Sequence, residues 1–130
     1  MTALQAVALY AAINLLILAL ISLPIGLNRN KKKVSLGDGG DAQLLALIRG
    51  HANAAEWIPG ALIGLLLLAL TGVGTLVIHI LGLMFSIARG SHAYAFLSGE
   101  TTGPARVFGA SITFIVYLVI AGLLIWKAFS

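Results

Sequence analysis

The sequence predicts an all-α integral membrane protein, a four-transmembrane-helix bundle folded as one domain. Of its 130 residues, 60% are hydrophobic and 9% are charged, and the mean hydropathy is +1.05. A soluble domain carries about 25% charged residues. The apolar residues also fall into four runs, each long enough for the roughly 20 residues that a spanning helix needs. Short polar or glycine-rich segments separate these runs.

The first span is expected over about residues 3–26, with Pro24 and Gly26 at its end. It lacks the basic n-region and cleavage site of a signal peptide, so it reads as a span. A basic, glycine-rich loop, 27–41, follows and holds Lys31, Lys32 and Lys33. Asp41 is placed to cap the second helix, 42–71. At 1.5 Å per residue, those 30 residues reach about 45 Å, so this helix should project beyond the bilayer on the side of the basic loop. A Gly72-Val73-Gly74 turn leads into the third span, 75–97. After a short loop, the fourth span, 105–126, ends with Trp126 and Lys127, an aromatic and basic pair suited to an interface.

Charge counts set an expected topology. Arg29, Lys31, Lys32, Lys33, Arg49, Arg89 and Arg106 fall on the side of the first and third loops, leaving Lys127 opposite. The positive-inside rule makes the crowded side cytoplasmic and puts both termini on the opposite face, which is the periplasm if the cell is bacterial. The lysine run suits anionic membrane lipid, and no nucleic-acid motif is present. With no cysteine in the chain, thiolate metal sites and cysteine nucleophiles are excluded, and no metal site is expected.

The informative polar stretch is residues 48–59, IRGHANAAEWIP. Arg49, Asn53 and Glu56 stand at i, i+4 and i+7, on one helical face. An ionised carboxylate within the hydrocarbon costs about 2.5 kcal/mol or more without a partner, and Arg49 and Arg89 are the available cations. A purely structural role is an Arg49–Glu56 pair with Asn53 bonded to a neighbouring helix. A functional role is a pocket for a small charged ligand. Arg89, Ser91, His92 and Tyr94 lie at similar depth on the third helix and can face that stripe. For Arg89 and Tyr94 the structural alternatives are snorkelling and interfacial placement. Deeper in the spans, Asn14 and His79 read as interhelical hydrogen-bonders.

The pattern Arg49-x-x-x-Asn53-x-x-Glu56-Trp57-x-Pro59, with VSLGDGGDAQLL before it and HAYAF after it, resembles the membrane-associated proteins in eicosanoid and glutathione metabolism, the MAPEG family, and its small bacterial branch in particular. The resemblance implies a homotrimer that binds glutathione as co-substrate between subunits. Arg49, Asn53, Glu56 and Tyr94 match glutathione-binding positions, and Arg29, Arg89 and His92 join the candidate set. The implied chemistry is glutathione thiolate attacking a hydrophobic small-molecule substrate or reducing a lipid hydroperoxide. The leukotriene-forming synthases carry a catalytic arginine three residues before a proline, where this chain has Thr101. Arg106 and Arg29 are the candidate substitutes for it. Two other readings stand beside this one. A non-catalytic lipid-binding or scaffold protein of the same fold accommodates Thr101, whereas a small multidrug transporter fits poorly with a glutamate flanked by Arg49 and Asn53.

Overall fold

The computed structural model describes all 130 residues. It contains four helices and no strand: α1 Ala3–Lys32, α2 Ala42–Leu70, α3 Thr75–Leu97 and α4 Pro104–Phe129. All four are long and apolar enough to cross a membrane. The central pair, α2 and α3, touches each other and both outer helices, whereas α1 and α4 do not meet.

Local chemistry explains the helix ends. Thr2 and Gln5 form a reciprocal capping box at the start of α1. Asp41 caps α2 by accepting from the Leu44 backbone N–H at 2.8 Å. Pro104 occupies the first turn of α4, where its missing N–H leaves no bond unmade. Between α2 and α3 the chain reverses through Gly72, whose φ of 80° only glycine adopts without strain. There the Val73 N–H reaches back to the Leu68 carbonyl at 3.0 Å.

One expectation needs revision. The first helix does not stop near Gly26 but runs through Pro24 to Lys32, so residues 27–32 of the expected loop are helical. The Asn28 side chain donates to the Pro24 carbonyl at 2.8 Å. The helix then ends at Lys33, which turns left-handed and sends its N–H back to Arg29 and Asn30. Lys32 at this end is ion-paired with Asp41, tying α1 to the start of α2. The fourth helix begins one residue earlier and continues three residues beyond the expected end.

The Asp41 contacts give a pH prediction. The Lys32 ammonium, followed by the Leu44 N–H, holds the Asp41 carboxyl below its ordinary value of 3.8. A depressed folded-state value adds stability above the ordinary value, and this is lost as pH falls through the folded one. Thermal melts in detergent should show a midpoint that drops at strongly acidic pH. In Asp41→Ala the midpoint should be lower at neutral pH, and this part of the acid dependence should be gone.

Packing uses small residues against large ones, as expected where lipid removes the hydrophobic preference for helix contact. The Tyr10 ring of α1 lies against Gly82 of α3, Ile120 of α4 fills the space over Gly64 of α2, and Phe96 of α3 lies over Gly50 of α2. Asn14 and His79 serve the interhelical role expected of them. Asn14 donates to Ser86 Oγ at 2.9 Å, and the Tyr10 hydroxyl and His79 Nδ1 are hydrogen-bonded at 3.0 Å.

Candidate functional site

At the basic end of the bundle, α2, α3 and the start of α4 border an open cavity of about 300 Å³. Arg49 and Asn53 enter it from α2, one turn apart on the same face. His92 and Phe96 enter from α3, and Arg106 enters from the first turn of α4 with Thr101 beside it. No acidic side chain lines the cavity. Leu45 and the Phe96 ring form apolar wall, so the space suits an anionic group attached to a less polar body.

Arg89 stands behind this cavity. It is 1% exposed, and its Nη2 donates to Asn53 Oδ1 at 3.0 Å and to His92 Nδ1 at 3.3 Å. Its Nε has no partner. The guanidinium therefore fixes two cavity-lining side chains and brings a positive charge into low-dielectric surroundings without a carboxylate to neutralise it.

Arg106 is held over the cavity from two directions. Its Nη1 donates to the Thr101 carbonyl at 2.5 Å, and its guanidinium carbon lies 5.2 Å from the centre of the Phe96 ring, within cation–π range. The opposite edge of this cluster is His92, whose ring centre is 5.1 Å from that of Phe96. Ser91 Oγ donates to the Ala105 carbonyl at 2.9 Å, fastening the start of α4 to α3.

The sequence-derived candidates separate spatially. Arg49, Asn53, Arg89, His92 and Arg106 converge. Glu56 does not: it is exposed on α2 and pairs with neither Arg49 nor Arg89 of its own chain. Tyr94 is 60% exposed and borders a different groove, between α1 and α3. Arg29 donates to the Ser35 carbonyl at 2.8 Å and lies outside the cavity of its own chain.

Two contributors escape the sequence reading. Phe96 follows His92 by four residues and Arg89 by seven, so its spacing did announce a shared face. Tyr117 sits within an apolar run that offers no such signal. Its hydroxyl donates to the Trp57 carbonyl, and the two rings pack edge to face at 4.7 Å, joining α4 to α2 below the cavity.

A four-helix membrane bundle with an arginine-lined pocket between its second, third and fourth helices defines the class, and the sequence profile of the MAPEG family matches residues 7–126. The chain belongs to the MAPEG family. It is similar to the Inner membrane protein YecN of Escherichia coli strain K12, with 37% identity over 89 residues covering 68% of each chain. The protein of the same name from Escherichia coli O6:H1 matches to the same extent.

Proposed function

We propose that the chain is a glutathione-dependent transferase or peroxidase acting on a hydrophobic electrophile or lipid hydroperoxide. The carrying observation is the acid-free cavity where Arg49, Arg106 and His92 meet, backed by buried Arg89. Glutathione presents two carboxylates and a thiol, and arginine matches carboxylates in a charge-assisted, two-pronged geometry. A cation near the thiol favours its ionised form, and Arg106 is the cavity cation best held for that task. In the transferase reaction the thiolate sulfur bonds to the electrophilic carbon and the leaving group departs with the electron pair.

The proposed assembly is a homotrimer in a bacterial inner membrane, with the basic end cytoplasmic and both termini periplasmic. Two observations support it. Glu56 is an exposed carboxylate two turns from Arg49 on a membrane helix, where charge without a partner is costly, and a neighbouring copy would cover it. The similar Escherichia coli proteins are named as inner membrane proteins.

Calorimetric titration of glutathione into the detergent-solubilised protein tests the site. Wild-type protein should bind saturably. Arg49→Ala should lower affinity at least about tenfold, the effect expected from losing a charged hydrogen-bonding group. Unchanged affinity in Arg49→Ala would remove the site assignment. A non-catalytic ligand-binding role is the second reading, favoured by the occupation of Arg106 with Thr101 and Phe96. Turnover of aryl halide or hydroperoxide with glutathione decides between the two.

A further inference from the structure

A second site lies on the other side of α3. Ile17, Leu20 and Ile21 of α1 and Gly90, Ala93, Tyr94 and Leu97 of α3 border a groove of about 200 Å³ with no charged lining. We infer that this groove holds an acyl chain of an anionic phospholipid whose headgroup rests against Lys31.

The register of the helices provides the first argument. Asn14 is level with Ser86, so along the parallel helices Leu97, the last residue of α3, is level with Ile25. The first helix continues to Lys32 and overhangs the end of α3 by about 10 Å at 1.5 Å per residue. On α1, the face of Ile17, Leu20 and Ile21 continues at helical spacing through Pro24 and Asn28 to Lys31. Lys31 is exposed and forms no ion pair, whereas its neighbour Lys32 is engaged by Asp41. An unpaired cation thus stands on the overhang above an apolar groove, about 16 Å from Leu20 along the axis. That order of charge and apolar surface matches a phospholipid's headgroup and chain.

Gly90 provides the second argument. A glycine inside a helix is destabilising relative to alanine. At Gly50 and Gly109 a methyl group would collide with a neighbouring helix, which accounts for those glycines. At Gly90 a methyl group meets nothing within 4 Å. Packing within the chain therefore does not require glycine there, and its effect is to leave the floor of the groove open.

The test exposes detergent-purified protein to equimolar phosphatidylglycerol and phosphatidylcholine with matched chains, then measures retained lipid by native mass spectrometry. Wild-type protein should retain phosphatidylglycerol in preference. Lys31→Gln should reduce that preference about fivefold, the weight of one lysine at an anionic surface. Gly90→Leu should lose retention of both lipids while keeping its thermal midpoint. No retention or equal retention by wild-type protein overturns the inference, as does full retention by Gly90→Leu. A changed oligomeric mass in Gly90→Leu with lipid retention intact also overturns it and assigns the groove to a second copy of the chain. The glutathione titration reports on the other side of α3, so failure of one proposal is distinguishable from failure of the other.

Discussion

Replacing Arg89 with methionine should make the bundle more resistant to heat while weakening its hold on glutathione at least about tenfold. The two effects have one origin. Arg89 is buried at the 1% level with no carboxylate against it, and only Asn53 and His92 compensate its charge. Exchanging a whole buried ion pair for apolar residues of similar volume is often neutral or stabilising, by about 1–4 kcal/mol, and Arg89 has no paired carboxylate that its removal would strand. Methionine fills the same slender volume without needing solvation. Asn53 borders the cavity, so its freed oxygen is open to water. The pocket, however, loses the charge behind it and the donor that orients Asn53 and His92. Thermal unfolding followed by circular dichroism, paired with calorimetric titration, measures both effects. A lower melting midpoint would show that the guanidinium is structural, and unchanged affinity would show that its field does not reach the ligand.

The second large effect is expected at Gly109. A carbon attached there would stand 2.6 Å from the Ala88 carbonyl oxygen and 2.8 Å from both the backbone nitrogen and Cβ of His92. These atoms belong to the body of α3, so no flexible side-chain end can move aside. Gly109→Leu should force α3 and α4 apart at a cost near or above the upper end of the 1–3 kcal/mol typical of overpacking. Because Arg106 is three residues earlier on α4, the separation should also withdraw it from the cavity and lower glutathione-dependent turnover. Gly122→Ala is the control, since a methyl group there meets nothing within 4 Å and should leave the melt unchanged or slightly higher. Equal melting of Gly109→Leu and wild-type protein would contradict the packing described for this helix pair.

The contrast between these two glycines marks the limit of what the sequence discloses. Both look alike within an apolar run, and only the neighbouring helix distinguishes them. Features governed by local chemistry were legible: four runs of sufficient length, the glycine turn at 72–74 and the cap at Asp41. Pro24 was a misleading stop signal, because the helix resumed and ended only where Lys33 turned left-handed. For the site, spacing along one helix was a partial guide: it grouped Arg49 with Asn53, but Glu56, seven residues from Arg49, is exposed and lies outside the cavity. Arg89 and His92, three apart, share a face, but Tyr94, two residues past His92, stands about 200° around the helix and reaches the other groove. Which face of α3 turns toward α2 depends on packing: Arg89 was a candidate partner for Glu56, and the rotation of the two helices sets it against Asn53 instead.

The brief connection between Leu70 and Thr75 also bears on how the chain enters a bilayer. Arg89 is the residue of α3 least able to tolerate lipid alone. Its main acceptor, Asn53, sits on the helix made immediately before, at a matching distance from the turn. A hairpin this short allows the two helices to leave the insertion machinery as a pair with that hydrogen bond already made, before α4 is synthesised.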